Sequence, residues 1–260
     1  LSKDSYFVPV SVKIPSSQIT LKKKGSDEVT DFDFIGQIRD KQGRLVGNLR
    51  DGIKVKLSSD ATAKRRSFQY NTGFTLGPGD YSLKFLTREN ETGKMGTFET
   101  KFHIPDLVQK SDTLHVSSVI WSNQREPLAA AVGNAGTNKK ILAGDPLVME
   151  NERLIPSITR AFRRDQNLLI YLEAYDTASD SQTKTHAVSA NVAFYLGDKK
   201  AFESPAVSLT DALKTRKSAI PIQFQVPLGK LVPGQYTCQI NVVDEVGRKF
   251  AFPRAPLVIR

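Results

Sequence analysis

Apolar and polar residues alternate with period two through most of this chain. In the first half the pattern runs through Phe32-Asp33-Phe34 to Ile38, Ile53-Lys54-Val55-Lys56-Leu57, Tyr81-Ser82-Leu83-Lys84-Phe85 and 98–104. In the second half it returns at Leu168-Leu169-Ile170-Tyr171-Leu172, Val188 to Phe194, Ile220 to Val226 and 236–242. Successive side chains of a strand point to opposite faces, so this pattern predicts half-buried sheets and few helices. Pro221 marks a strand start or an edge. Turn-forming residues at 40–43, 78–79, 90–93, 233–234 and 244–247 separate the runs at the short intervals of a sandwich. Residues 208–217 fit a short helical turn or a connecting loop, and 122–146, rich in Ala, Gly and Asn, reads as a long loop.

An internal repeat sharpens this picture. Leu76-Gly-Pro78-Gly79-Asp80-Tyr81 returns as Leu231-Val-Pro233-Gly234-Gln235-Tyr236, at an offset of 155 residues. Each copy leads through a second turn, at Gly93-Lys94 and Gly247-Arg248, into a closing aromatic strand that starts near Phe98 or Phe250. Upstream, a strand ending at Arg39-Asp40 is matched to one ending at Tyr175-Asp176, which assigns 19 extra residues to loops around 177–187 and 198–218 in the second copy. Proline presets φ and glycine permits a tight turn, so the motif delivers a tyrosine to the start of the next strand. A ring placed there can enter the core while its hydroxyl bonds backbone a few residues upstream, as in the tyrosine corner of immunoglobulin-like sandwiches. The fold expected is therefore all-β, with two tandem immunoglobulin- or fibronectin-III-like β-sandwiches over residues 1–108 and 109–260. Pro78, Gly79, Tyr81, Pro233, Gly234 and Tyr236 form its structural signature.

The 260-residue chain is 39% hydrophobic and 25% charged, which suits a globular protein with a sizeable core and excludes disordered or collagenous classes. No run approaches the roughly 20 apolar residues needed to cross a bilayer as a helix. The opening LSKDSYF carries neither an initiator Met nor a signal-peptide core, so a piece of a longer protein is expected. Net charge is +10, with 19 basic and 13 acidic residues in 1–110 and 18 and 14 in 111–260. The excess is diffuse, and without interleaved aromatics or a reading helix it argues against nucleic acid as partner. The one cysteine, Cys238, shares a strand face with Tyr236, Ile240 and Val242, which predicts a buried structural thiol.

Catalytic signatures are missing from the sequence. The three histidines, at 103, 115 and 186, have no zinc-ligand spacing, and no nucleophile elbow, phosphate loop or dinucleotide fingerprint is found. Asp31 and Asp33 share a strand face at the ordinary spacing of a solvated sheet. Asp176, Asp180 and Asp198 form a candidate Ca²⁺ set. Trp121, with Tyr175 and Tyr195, offers a candidate aromatic platform for a glycan, with Trp121 as the candidate ligand contact, although alternation along 115–121 puts Val119 and Trp121 on one face and favours burial of the ring in the core. No enzyme, cofactor or metal is expected.

The segments 6–15, 32–44 and 74–98, with Asp145-Pro-Leu-Val148 and 154–165, resemble the C-terminal region of acidobacterial proteins with a VWFA-related domain. The resemblance covers most of the chain. It implies an exported protein in which a von Willebrand factor A-type domain precedes this part. The D-x-S-x-S metal site of that domain has no counterpart here, since 176–181 departs from the spacing, so no metal residue carries over. The expected role is a non-catalytic spacer or protein-interaction module outside the cytoplasm, whose partner is another protein or another domain of the parent chain. A carbohydrate-binding module is the alternative, and nucleic-acid binding through diffuse charge is the second alternative.

Overall fold

The computed structural model describes residues 5–15, 18–20, 22–24, 27–57, 68–128, 142, 144–210 and 219–260. Most of 122–146 and of 208–217 lies outside the described residues. By contact the chain divides into two compact units: Leu1–Asp106 with Glu126–Arg153, and Leu107–Arg125 with Leu154–Arg260. The first break falls beside the expected boundary at 108/109, but Glu126–Arg153, expected in the second unit, belongs to the first. Both units are built of strands.

The first unit comprises β1 (Tyr6–Ile14), β2 (Lys22–Lys24), β3 (Asp27–Asp40), β4 (Leu45–Leu57), β5 (Phe68–Leu76), β6 (Gly79–Glu89) and β7 (Met95–Ile104); the alternating runs of the sequence fall in β3, β4, β6 and β7, while β1, β2 and β5 lie outside them. β1 and β5 pair as one antiparallel sheet; β4, β3, β6 and β7 form the other in that order, with β2 beside the start of β3. The two sheets meet through aromatic rings. Tyr70 of β5 stacks on Phe34 of β3 with centroids 4.1 Å apart, and Phe68 stacks on Phe32 at 5.8 Å. Phe32, Phe34, Ile38, Tyr70 and Phe85 are all buried. Stacked pairs of this kind add to simple burial by about 0.5–1.5 kcal/mol each.

Short strands follow: β8 (His115–Val116), β9 (Ile120–Ser122), β10 (Arg125–Pro127), β11 (Val148–Met149), β12 (Glu152–Leu154) and β13 (Ala161–Phe162). β10, β12 and β11 make a small sheet of their own. The second unit continues with β14 (Asn167–Tyr175), β15 (Val188–Leu196), β16 (Lys199–Glu203), β17 (Val207–Leu209), β18 (Ala219–Pro227), β19 (Gly234–Asp244), β20 (Lys249–Ala251) and β21 (Arg254–Ile259). One sheet pairs β18, β14 and, on the far side of β14, β8 and β9. The other runs β13, β21, β19, β15, β16, with β17 also on β15 and β20 also on β19. Their facing sides make a core from Leu168, Ile170, Leu172, Ile220, Ile222, Val192, Phe194, Tyr236, Cys238, Ile240 and Leu257.

The pairings of the first unit recur in the second. β5 on β1 corresponds to β18 on β14, β6 on β3 to β19 on β15, and β7 on β6 to β20 and β21 on β19. This corrects the upstream alignment read from sequence: the counterpart of the strand ending at Asp40 is β15, not the strand ending at Tyr175, because β14 takes the place of β1. From Asp40 to Pro78 is 38 residues, and from Leu196, the end of β15, to Pro233 is 37. The 19-residue insertion therefore vanishes, and part of 198–218 is strand β16 and strand β17.

Both repeated tyrosines make the same bond. The Tyr81 hydroxyl donates to the carbonyl of Gly77 at 3.0 Å, and the Tyr236 hydroxyl donates to that of Val232 at 2.8 Å, each four residues upstream. Gly79 has φ +151°, a conformation that side chains rarely adopt, which accounts for the glycine at that turn.

Candidate binding face

The outer face of the larger sheet in the second unit carries a chain of side-chain hydrogen bonds across four strands. Alternation along β19 sends Tyr236, Cys238, Ile240 and Val242 inward and leaves Thr237, Gln239, Asn241 and Val243 outside. In β15, Asn191 stands opposite Asn241, and in β21, Arg254 stands opposite Gln239. Arg254 Nε donates to Gln239 Oε1 at 2.6 Å, Gln239 Nε2 to Asn241 Oδ1 at 2.5 Å, and Asn241 Nδ2 to Asn191 Oδ1 at 3.0 Å. Asn191 Nδ2 then donates to Glu203 Oε1 at 3.1 Å, and Lys200 Nζ to Glu203 Oε2 at 2.6 Å. The bond from Lys200 draws the Glu203 carboxyl below its usual range, and Glu203 in turn raises the Lys200 ammonium. Each of the three amides gives one hydrogen and accepts one, which leaves each a second N–H and a second lone pair. The row can therefore meet a surface carrying both donors and acceptors.

Phe250 and Phe252 lie beside this row. Phe250 is opposite Val243, and the two rings stack with centroids 5.2 Å apart and planes 28° from parallel. They remain 58% and 48% exposed. Covering the exposed half of two phenylalanines is worth about 2–3 kcal/mol. With Arg254 two residues further on, the face combines aromatic rings, a guanidinium and amides.

The aromatic residues proposed from sequence do not form a platform. Trp121 is only 3% exposed and sits in the core of the second unit, so it presents no ring face to a ligand. Tyr175 is 5% exposed, and its hydroxyl donates to Glu173, which also accepts from Tyr171 at 2.7 Å. Tyr195 is half-buried near the end of β15, opposite Thr237. The true surface pair is legible in the spacing Phe250-x-Phe252-x-Arg254 beside Gln239-x-Asn241. It escapes a reading that favours Trp and Tyr near loops over Phe within a closing strand.

The remaining polar clusters are accounted for by local structure. Asp180 accepts the backbone N–H groups of Thr183 and Gln182 at 2.8 and 2.9 Å, which lowers its pKa and caps its own turn. Asp176, at φ +52°, accepts from Lys249 Nζ at 3.1 Å. Asp198 lies in the exposed turn between β15 and β16. Among the described residues no three His, Cys, Asp or Glu side chains gather as metal ligands, so the Ca²⁺ set does not assemble. Asp31 and Asp33 stand opposite Lys54 and Arg88 in the sheet register, as outer-face charges do. His103 bonds Asp80 at 2.8 Å on an exposed face, and His186 meets Thr177 Oγ1 and the Ala178 carbonyl at 3.0 and 3.1 Å. Burial pushes the Cys238 thiol far up, which opposes thiolate formation. A cleft of about 450 Å³ opens beside the Asp176–Lys249 pair, bordered by Lys110, Ser111 and Asp112.

No protein-family model matches the chain, and no curated protein matches it in sequence. No helix among the described residues is long and apolar enough to cross a membrane.

Proposed function

We propose that the chain is a non-catalytic protein-binding module of tandem immunoglobulin- or fibronectin-III-like sandwiches, and that it binds through the outer face of β15, β19 and β21. The observation that carries this reading is the exposed Phe250–Phe252 stack beside Arg254 and the amide row. Aromatic rings and arginine are the side chains that most often anchor protein interfaces, and amides with a spare donor and acceptor match peptide groups. The repeated strand pairing and the two tyrosine bonds support the sandwich family. The resemblance to the region that follows a VWFA-type domain supports an extracytoplasmic setting in a larger exported protein, with another domain of that protein or a separate protein as partner.

The amide row beside stacked rings also favours a second reading, a glycan-binding face, because sugars too offer hydroxyls around an apolar ring surface. A photo-crosslinking side chain at position 252, in the protein expressed in its own cells, separates the two. A protease-sensitive adduct that disappears in Phe250→Ser supports protein binding. Absence of any polypeptide adduct, together with glycan-array binding that Phe250→Ser abolishes, transfers the face to carbohydrate.

A further inference from the structure

The free edge of β7 points to a second copy of this chain. In the second unit the end of the corresponding edge is covered: β13 pairs with the last residues of β21, Ala161 beside Val258 and Phe162 beside Ile259. In the first unit the sheet ends at β7, and no described strand lies beyond it. Residues 95–99 are all exposed, Met95 at 67% and Phe98 at 63%. Phe98 is directly opposite the buried Phe85, so it lies on the core side of the sheet, at an overhang that β1 and β5 leave uncovered. A ten-residue edge with no partner beyond it among the described strands, and with an apolar ring on the core side, is a template for strand addition.

We propose that two copies pair antiparallel through β7 about a two-fold axis at Thr100. Keeping both cores on one side of the shared sheet requires the axis to pass through a residue, since partners on a common face differ by an even number. An axis at Thr100 uses all of the strand except Met95. It sets Glu99 against Lys101 twice, and Phe98 against Phe102 twice. Axes one residue away set Glu99 against Glu99 or Lys101 against Lys101. The charges on the outer side of β7 thus favour one register and oppose its neighbours, while the phenylalanines on the core side cover each other's exposed rings. A two-fold, self-complementary contact of this kind closes on itself at two copies. One strand pair is a smaller contact than a standard interface, which suits a reversible association tested over micromolar concentrations.

Sedimentation across that range is expected to show a monomer–dimer equilibrium in the intact chain. Glu99→Lys replaces both attractive pairs by repulsive ones and weakens dimerisation about tenfold or more. The charge swap Glu99→Lys with Lys101→Glu restores it, although Lys84, opposite Glu99 within the same copy, still faces a lysine in the swapped chain. Thr100→Cys places two thiols across the axis with Cα atoms about 4.5–5.5 Å apart, within disulfide reach. Since Cys238 is buried, mild oxidation then yields a covalent dimer through position 100 alone. A chain that stays monomeric throughout with no crosslink at position 100, or a dimer that Glu99→Lys leaves intact, overturns the proposal. Circular dichroism of each variant shows that the fold is retained.

Discussion

Tyr81 and Tyr236 are anchored alike but buried differently, and that difference predicts unequal costs. Tyr236 is 2% exposed within the second core, whereas Tyr81 is half-buried with its ring on Phe102 at 5.6 Å. Removing a hydroxyl leaves a carbonyl without its donor, which matters more where water is excluded. Tyr236→Phe is expected to cost about 1–2 kcal/mol and Tyr81→Phe about 0.5–1 kcal/mol, read as a fall in urea midpoint at unchanged slope. Cys238 makes a pH prediction. Its thiol is fully buried and its folded pKa is raised, so stability is fully present below the unfolded thiol value of about 8.5. Above that pH the unfolded chain releases a proton that the folded one keeps, and stability falls by about 1.4 kcal/mol per pH unit until the folded thiol itself ionises. Chemical denaturation between neutral and alkaline pH should show this slope in the native chain and lose that component in Cys238→Ala. The tyrosine bonds were legible in the sequence because the Pro-Gly-x-Tyr turn is local. The burial of Trp121 was only half legible: its shared face with Val119 argued for the core, but β14, the strand it pairs with, lies almost 50 residues away in sequence.

At the scale of elements, alternation placed β3, β4, β6, β7, β14, β15, β18 and β19, since a period of two suits a strand and cannot line one face of a helix, but it missed β1 and β5. It could not say which strands pair. The sequence matched the strand before Asp40 to the strand before Asp176 through their similar ends, yet register is fixed by partners, and β14 faces β18 as β1 faces β5. Close approaches between paired strands are equally invisible to pattern. On β5, a Cβ at Gly73 would collide with Cζ of Phe7 on β1, so the ring occupies the space that a side chain there would need. Gly73→Ala must displace that ring and is expected to destabilise the first unit by about 1–3 kcal/mol. Phe7→Ala removes the obstacle, so Gly73→Ala should cost markedly less in the Phe7→Ala background than in the native chain. Equal costs in the two backgrounds, measured by urea unfolding, would show that the clash is not the cause.

For the whole molecule, the chain does not divide at one point. Glu126–Arg153 belongs to the first unit although the strands on either side of it, β9 and β13, belong to the second. That segment contributes buried Leu147 and a buried ion pair, Arg153 with Asp145, whose other carboxylate oxygen accepts the Leu147 N–H at 3.0 Å. Composition gave no hint of this, because an Ala- and Gly-rich stretch looks like a surface loop, and only the fold shows that it ends in a paired charge. Taking one partner from a buried ion pair strands the other, at a cost of about 3–5 kcal/mol. Arg153→Met is therefore expected to lower the stability of the first unit by about that amount, while leaving the second unit's unfolding midpoint unchanged. Cutting the chain after residue 108 tests the same point without a substitution. Fragment 1–108 keeps the two larger sheets of the first unit but loses the small sheet of β10, β12 and β11 with Leu147, Asp145 and Arg153, and it should unfold at a lower urea concentration than the same unit in the intact chain. Fragment 109–260 keeps β8 and β9 beside β14 and should retain the second unit's midpoint. If 1–108 proves as stable as its counterpart in the full protein, the segment is a passenger and the simple two-piece division stands.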